Sequence, residues 1–201
     1  MDTVFGVEFN GGVVLASDQS NARSILLYQT NLDKVIPLTE HSAVGVSGPQ
    51  SDSSKFTEYI AKNMKLYKIT HNNTGLSMHA QANFTRNELA TALRSGPYQV
   101  NILLGGVDPK TKESSLYFMD YLASMQKVPY GCQGYASSFC LSIFDREYKS
   151  KEDTDEAKAL DLVQKCIKEM HTRFLISQPN FIIKVIDENG IRVVSFGADP
   201  A

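Results

Sequence analysis

The chain has 201 residues, of which 42% are hydrophobic and 21% are charged, and its formal net charge is −2. This length and composition are typical of one globular domain with a substantial core, and no linker or internal repeat divides the chain. The nearly balanced charge argues against a nucleic-acid-binding surface, and no apolar run approaches the roughly 20 residues that span a bilayer. The first residues contain neither a basic region nor a small-residue cleavage site, so we expect an intracellular protein.

The opening of the chain predicts a β-hairpin. Residues 4–9 form an apolar run, residues 10–12 (Asn-Gly-Gly) form a turn signal, and residues 13–16 form a second run that leads to Asp18. Two apolar runs that flank a glycine-containing turn are typical of antiparallel strands. A polar stretch follows and ends at Lys34, sixteen residues after Asp18.

A short apolar segment at residues 41–48, which ends in a glycine, precedes two predicted helices. Ser51 and Asp52 are candidate N-caps of the first helix, whose apolar side chains recur at spacings of four, four and three residues. Ser77 is the candidate N-cap of the second helix, which ends at the Ser-Gly-Pro segment of residues 95–97. The predicted apolar stripes consist of Phe56, Ile60, Met64 and Tyr67 in the first helix and of Ala82, Leu89 and Leu93 in the second.

Strands resume in the middle of the chain. Residues 98–105 and 115–122 predict two strands around a turn signal at residues 108–111 (Asp-Pro-Lys-Thr). A glycine-rich segment follows at residues 131–134. We expect the two strands to pair as the arms of a second hairpin.

The last third of the chain predicts two helices and a terminal hairpin. A short, largely buried helix is predicted over residues 136–146, and Thr154 is the candidate N-cap of the clearest helix, whose first turn is acidic. Residues 181–186 and 191–196 flank the turn signal at residues 187–190 and predict the final strand pair. The expected core stripe of the clearest helix consists of Leu160, Val163, Ile167, Met170 and Phe174.

Strands and helices therefore come in blocks rather than in strict alternation. The order is strands, two helices, strands, two helices and strands. Such an order is typical of an α+β fold in which two mainly antiparallel sheets stack face to face, with a helix pair outside each sheet. We predict a single domain over residues 1–201 with this four-layer α-β-β-α sandwich.

The cysteines and histidines match no known metal or disulfide pattern. Cys132, Cys140 and Cys166 are odd in number and lack the spacing of a disulfide framework or a zinc site, so we expect buried, reduced thiols. None of the histidines pairs with another at metal-ligand spacing, and no phosphate loop, dinucleotide fingerprint or nucleophile elbow is found. We therefore predict no cofactor and no metal site. The histidines are His41, His71, His79 and His171.

The opening hairpin and Lys34 resemble the start of proteasome beta-type subunits, which are N-terminal-nucleophile hydrolases. In active members of that family an N-terminal Thr opens the first strand, an Asp ends the second strand and a Lys lies further on. The resemblance implies that Asp18 and Lys34 hold the positions of that Asp and Lys, and that Gly48 holds the position of the glycine whose backbone N–H stabilises the oxyanion. The nucleophile position is Asp2. The family's fold, the Ntn-hydrolase fold, is the four-layer sandwich described above.

Three parts of the catalytic pattern are missing. An N-terminal Thr is a catalyst because its hydroxyl and its free amine, with an ordinary pKa of about 7.7–8.0, lie on one residue. Asp2 has no hydroxyl, and its nitrogen is acylated by Met1. Active members also contain a Gly-Ser-Gly and an Asp-Gly-Ser-Ser-Gly-Gly segment, which correspond here to residues 134–137 (Gly-Tyr-Ala-Ser) and roughly to residues 174–179 (Phe-Leu-Ile-Ser-Gln-Pro). We therefore expect a non-catalytic subunit of a threonine-type protease complex, in which the four matched positions are vestigial.

Removal of Met1 and Asp2 would make Thr3 N-terminal, and an active threonine protease is therefore the alternative. Thr3 is fifteen residues before Asp18, one fewer than the pattern requires, and a one-residue shift in a strand turns a side chain to the opposite face. We expect Thr3 to point away from Lys34, and the start of the chain at Met1 also counts against trimming. Because an unpaired buried ammonium is costly, we expect Lys34 to lie between the carboxylates of Asp2 and Asp18.

The resemblance covers nearly the whole chain and is closest to a non-catalytic branch of the family, the beta type-2 subunits, which hold the fourth position of the beta ring. It implies a structural role among other proteasome alpha and beta subunits in stacked rings, where neighbouring subunits perform ATP- and ubiquitin-dependent protein degradation. It also implies a location in the cytoplasm and nucleus, without nucleic-acid or membrane partners. The segments that carry the resemblance are residues 56–60, 66–68, 82–86, 97–101, 117–123 and 134–135.

Ring contacts have two candidate segments in the sequence. The first is Tyr148 with the charged residues 149–156, and the second is the tail at residues 198–201. A solvated loop and a frayed end are equally consistent with these compositions. A third hypothesis for the whole chain is a stand-alone binding module on the same fold, which holds a peptide in the remnant cleft.

Overall fold

The computed structural model describes residues 2–135 and 137–195, and the side chain of Arg23 lies outside this description. The described ranges contain twelve strands and four helices, and none of these helices is long and apolar enough to cross a membrane. The strands are β1 (Thr3–Phe9), β2 (Gly12–Asp18), β3 (Asn21–Arg23), β4 (Leu26–Gln29), β5 (Val35–Thr39), β6 (Ser42–Ser47), β7 (Asn101–Val107), β8 (Ser114–Met119), β9 (Met125–Lys127), β10 (Tyr130–Gly134), β11 (Phe181–Asp187) and β12 (Gly190–Val194). The helices are α1 (Gln50–Thr70), α2 (Met78–Ala92), α3 (Ser137–Glu147) and α4 (Glu156–Arg173).

Most strands belong to two five-stranded antiparallel sheets. The first sheet has the order β10-β1-β2-β11-β12, and the second has the order β5-β6-β7-β8-β9. Strands β3 and β4 form a separate two-stranded hairpin. The predicted α+β class and the antiparallel pairing are therefore confirmed.

Both faces of the large sheets carry buried side chains. Val4 packs in a cluster with Leu103 that draws on strands of both sheets, whereas its neighbour Phe5 packs with Phe144 in a cluster of the first sheet with α3 and α4. Leu104 belongs to a cluster of the second sheet with α1 and α2. Successive side chains of a strand point to opposite faces. A strand that is buried on both faces is therefore expected to be mostly apolar, and β1 and β2 fit this except at the buried polar residues Thr3, Glu8, Ser17 and Asp18.

Two glycines lie where strands of the two sheets approach closely. A Cβ atom at Gly45 would lie 2.6 Å from Cγ1 of Val4, and one at Gly105 would lie 2.7 Å from Cγ1 of Val13. Real Cβ atoms do not make such contacts without a shift of their neighbours. Larger residues at these positions would push the two sheets apart.

The helix caps agree with the sequence in one case and differ in two. Ser77 caps α2, since its Oγ accepts a hydrogen bond from the backbone N–H of Ala80 at 3.2 Å. The cap of α4 is Asp155 rather than Thr154, because Oδ1 of Asp155 accepts from the N–H of Lys158 at 2.8 Å while the Thr154 hydroxyl donates to a preceding carbonyl. Helix α1 begins before its two predicted caps, directly after Pro49 and without a side-chain cap.

The buried stripe of α4 is rotated from the predicted one. Val163 and Met170 are buried as expected, but Leu160 and Ile167 are half-buried. Two of its buried residues, Ala159 and Cys166, are small, and a pattern search that favours large apolar residues overlooks them. The buried residues of α4 are Ala159, Leu162, Val163, Cys166 and Met170.

The stretch between Asp18 and Lys34 differs most from its prediction. It was expected to be a polar connection, yet it contains β3 and β4 and the exposed apolar run of residues 25–28. Other element bounds differ by a few residues, as with β7, which begins three residues later than predicted. Ala136, the predicted start of α3, and the tail at residues 198–201 lie outside the described residues.

Candidate functional site

A buried ammonium lies at the centre of the candidate site. Nζ of Lys34 donates to Oδ1 of Asp2 at 2.7 Å and to both carboxylate oxygens of Asp18 at 2.9 Å. It also donates to the backbone carbonyl of Ser20 at 2.7 Å. The Lys34 side chain is 6% exposed, and those of Asp18 and Asp2 are 0% and 20% exposed. The predicted position of Lys34 between two carboxylates is therefore confirmed.

Backbone hydrogen bonds fix the Asp18 carboxylate at the end of β2. The N–H of Thr3 donates to its Oδ1 at 2.8 Å, and the N–H of Ser20 donates to its Oδ2 at 3.0 Å. Lys34 lies directly before β5, and its carbonyl accepts from the N–H of Val46 in β6 at 3.0 Å. The site therefore forms where the ends of strands from both large sheets meet.

Gly48 completes the cluster through its backbone. Its N–H donates to Oδ2 of Asp2 at 2.9 Å, so the two oxygens of Asp2 bridge the Lys34 ammonium and this N–H. Gly48 has a φ of +144°, and a Cβ there would lie 2.3 Å from the carbonyl oxygen of Gln99. The turn that aims the N–H at Asp2 therefore requires glycine.

Burial and the neighbouring cation act on Asp18 in opposite directions. Desolvation by burial raises the pKa of Asp18 above its ordinary value, and the charge and hydrogen bonds of Lys34 lower it in part. The hydrogen bonds from the N–H groups of Thr3 and Ser20 also lower this pKa. The carboxylate is thus costly to bury, and its partners offset that cost.

The side chain of Thr3 faces away from this cluster, although its backbone N–H donates to Asp18. Its side chain is fully buried, and its hydroxyl donates to Oε1 of Gln178 at 3.0 Å. Asp2, one residue earlier, directs its carboxylate to Lys34 instead. The expected effect of the one-residue shift is therefore confirmed.

The two segments that depart from the catalytic pattern meet beside Asp2. Gly134 pairs with Thr3 across the sheet, and a Cβ at Gly134 would lie 1.8 Å from the carbonyl oxygen of Asp2. The ring of Tyr135 lies with its centroid 6.1 Å from that of Phe174. Two residues that are 39 positions apart in the sequence thus lie against each other, next to Gly134.

A cleft of about 900 Å³ opens above Asp2 and Gly48. Its walls come from the β3–β4 hairpin, from the turn before α1 and from the end of β10. Both oxygens of Asp2 are directed inward to Lys34 and Gly48, which leaves a carboxylate at the floor of the cleft. The lining residues are Asp2, Asn21, Ala22, Tyr28, Ser47, Gly48, Pro49, Gln50, Ser51, Gly134 and Tyr135.

A family model described as "Proteasome subunit" matches residues 1–186. The chain belongs to the proteasome subunit family. It is 47% identical over 192 residues to "Proteasome subunit beta type-2-A" of Arabidopsis thaliana, with 96% of this chain and 92% of the relative covered. It is 40% identical to "Proteasome subunit beta type-2" of Dictyostelium discoideum, with 98% and 99% covered. It is 42% identical to "Probable proteasome subunit beta type-4" of Schizosaccharomyces pombe, with 97% and 100% covered.

These comparisons confirm the resemblance inferred from the sequence. The motifs in α1, α2 and β8 predicted a proteasome beta-type subunit close to the beta type-2 branch, and relatives with that name match nearly the whole chain. The matched yeast relatives are named beta type-4.

Sequence reasoning missed a second buried lysine of this proteasome subunit, which pairs with the partly exposed Asp33. Lys184, which is 5% exposed, donates to Oδ2 of Asp33 and to the carbonyl of Val35, each at 2.5 Å. In the sequence, this pair could have been found from Lys184, a lysine among the apolar residues of β11. Because Asp33 and Val35 flank Lys34, this pair fixes the backbone that carries the central ammonium.

The three thiols of the proteasome subunit are free and buried, as expected. A hydrogen bond with Cys132 raises the pKa of Cys140 well above its ordinary value, and burial adds to this effect. A thiol with a raised pKa is a poor nucleophile at neutral pH. Within the described ranges, no group of three or more His, Cys, Asp and Glu side chains is arranged to hold a metal ion.

The first candidate contact segment is less exposed than expected. Tyr148 packs against the core of α3 and α4, and its hydroxyl is buried. Lys151 forms an ion pair with the buried Glu8 at 2.7 Å, and Thr154 is buried. Tyr148, Lys151 and Thr154 therefore contact the body of the chain, whereas Lys149, Glu152, Asp153 and Asp155 are exposed.

Proposed function

We propose that this chain is a non-catalytic subunit of the proteasome core particle. It forms part of the inner beta ring around the proteolytic chamber and supports ATP- and ubiquitin-dependent protein degradation by neighbouring subunits. One observation carries this proposal: the Asp2 carboxylate binds the Lys34 ammonium with one oxygen and the Gly48 N–H with the other.

Hydrolysis at this site would need a hydroxyl beside Lys34 and a free N–H at Gly48. Asp2 supplies a carboxylate at the first position and occupies the second. A carbonyl oxygen that gained negative charge at Gly48 would therefore face an anion instead of a donor. In our proposal Asp2, Asp18, Lys34 and Gly48 are the structural remnant of a catalytic site.

The contacts of Thr3 argue against the alternative of an active threonine protease after trimming. The Thr3 hydroxyl is bound to Gln178, and its backbone nitrogen donates to Asp18. The hydroxyl is thus held on the opposite side of β1 from Lys34. A nucleophile in this orientation lacks the neighbouring ammonium that would favour its ionised form.

The proposal includes the domain organisation and the assembly. We take residues 1–201 as one domain with the four-layer α-β-β-α order of the Ntn-hydrolase fold. The three core clusters support this order, since their members come from the first sheet with α3 and α4, from both sheets, and from the second sheet with α1 and α2. Its partners are other proteasome alpha and beta subunits in stacked rings, in the cytoplasm and nucleus.

The test is purification of the endogenous chain under native conditions, followed by mass measurement of the complex and of each subunit. We expect this chain in a very large assembly with other proteasome subunits. An electrophilic probe that modifies N-terminal threonine hydroxyls should label other chains of that assembly and leave this one unlabelled.

Two results would overturn the proposal. Covalent label on this chain at Thr3 would identify an active protease. Recovery of the chain as a free protein near its own mass of 22.3 kDa would instead favour a stand-alone module that uses the cleft.

A further inference from the structure

The β3–β4 hairpin carries an exposed apolar surface that the proposed function leaves without a role. Ile25 is 95% exposed, Tyr28 is 63% exposed, and Leu26 and Leu27 between them are 58% and 57% exposed. Together the four side chains leave on the order of 500 Å² accessible, which is as large as the largest apolar patch of a typical monomer. It is also more than half of the roughly 800 Å² that one partner contributes to a standard interface.

The hairpin has little support from the rest of the chain. Its two strands pair with each other and do not extend either large sheet. Hydrogen bonds hold its base, where the N–H of Leu32 donates to the carbonyl of Gln19 at 2.9 Å and Asn180 donates to the carbonyl of Thr30 at 3.1 Å. Because a two-stranded hairpin is only marginally stable in water, a cover over its apolar tip would stabilise it.

The composition of the hairpin determines the chemistry of its cover. No charged residue occurs between Arg23 and Asp33, a span of nine positions. A charged partner surface would lose its hydration here without gaining an opposite charge. Apolar surface with an aromatic side chain and without charge is typical of the buried centre of an interface.

We propose that the β3–β4 hairpin, with residues 25–28 at its centre, is the docking surface for an uncharged apolar face of a neighbouring subunit in the proposed ring. This inference rests on the proposed function, because a ring subunit has such neighbours permanently. Ala22 and Tyr28 of the same hairpin also line the cleft above Asp2. The neighbour that covers the hairpin therefore also borders the cleft.

The test compares two matched substitutions in cells that contain the other proteasome subunits. Leu27→Lys introduces a charge at the hairpin, and Leu66→Lys introduces one at an α1 residue of nearly equal exposure, 58% against 57%. We expect Leu27→Lys to lower incorporation into the large assembly at least tenfold relative to wild type, as measured on native gels. Leu66→Lys should remain within twofold of wild type.

Two further readouts separate docking from folding and identify the partner. The purified variant chains should unfold within a few degrees of wild type, because both substituted side chains are largely exposed. A photo-reactive benzoylphenylalanine at position 25 in the assembled complex should cross-link to a different proteasome subunit. Salt should weaken this contact little, since residues 24–32 contain no charged side chain.

The outcomes that overturn the inference are distinct from those that overturn the proposed function. If wild-type chain is in the assembly but Leu27→Lys incorporates as well as wild type, or both variants fail equally, the hairpin is not the docking surface. Cross-links to a second copy of this chain, or none, lead to the same conclusion. If wild-type chain is absent from any large assembly, the proposed function itself fails.

Discussion

Two neighbouring regions of this proteasome subunit reverse the usual distribution of side chains. At Lys34 an ammonium and two carboxylates meet with the lysine 6% exposed, whereas at residues 25–28, in the same connection, four large apolar side chains face solvent. The charged cluster is satisfied by groups of the chain itself. The apolar hairpin has no such cover among the described residues. The first region is therefore complete in a single chain, and we propose that a partner covers the second.

The largest expected effect is loss of the central cation. Lys34→Met would leave the fully buried Asp18 carboxylate without its counter-ion, and we expect a loss of about 3–5 kcal/mol in the free energy of unfolding. Urea denaturation of the purified chain measures this loss. Lys62→Met is the matched control, because Lys62 and its partner Glu58 are both mostly exposed and their removal should have little effect. Equal effects of the two substitutions would contradict a structural role for Lys34.

The loss in the free energy of unfolding that Lys34→Met causes should depend on pH, because Asp18 is a titrating group. Burial already raises the pKa of Asp18 above 3.8, and removal of Lys34 removes the largest opposing influence. A carboxyl group with a raised pKa in the folded state contributes stability that is present below pH 3.8 and is lost as pH rises through the folded pKa. We therefore expect the cost of Lys34→Met to be smallest near pH 4 and to grow toward pH 7.

Unfolding curves at several pH values test this dependence. The double variant Lys34→Met/Asp18→Asn should lose most of it, because the titrating group is gone. A cost of Lys34→Met that stays constant from pH 4 to pH 7 would show that Asp18 does not carry the buried charge.

A smaller effect is expected at Asp2, the partly exposed member of the cluster. Asp2→Ala removes one acceptor from Lys34 and the acceptor of the Gly48 N–H, which can then bind water in the cleft. We expect a loss of about 1–2 kcal/mol, measured by the same denaturation. Because the variant gains no hydroxyl, it should also remain unreactive toward a threonine-directed probe. A loss as large as that of Lys34→Met would show that Asp2 is as essential to the cluster as the cation.

The smallest change in stability is expected at the hairpin. Leu27→Ser in the isolated chain should alter the free energy of unfolding by less than about 0.5 kcal/mol, since the side chain is already 57% exposed. It should nevertheless reduce self-association in sedimentation, because it removes apolar surface that has no cover in the isolated chain. A marked loss of stability would mean that the hairpin packs within its own chain, and the contrast with the Lys34 cluster would disappear.

Strong local patterns gave the correct framework of this fold. The paired apolar runs around residues 10–12 predicted β1 and β2, and the block order predicted an α+β chain with antiparallel sheets. The spacing of Asp18 and Lys34, together with the resemblance they carry, predicted the ion cluster with Asp2. The strand patterns depend on residues that are close together in the sequence. The ion cluster depends on a lysine, which needs an opposite charge when it is buried.

Other features depended on contacts that no local pattern contains. The buried face of α4 includes the small residues Ala159 and Cys166, and the pair of Lys184 with Asp33 joins residues 151 positions apart in the sequence. The exposed run at residues 25–28 was missed because an apolar stretch of four residues between polar ones is usually too short to be informative. Its exposure follows from the position of the hairpin outside both sheets.

The sequence by itself therefore determined the order of the strand and helix blocks, the family and the absence of a hydroxyl at position 2, since each depends on residue identity and local pattern. Only the tertiary structure decided where those groups meet. It brought Asp2, Lys34 and Gly48 within hydrogen-bond distance, and it left the β3–β4 hairpin uncovered. Burial and distance are properties of packing between distant segments, and they decide which charges are neutralised within the chain and which apolar surface remains for a neighbour.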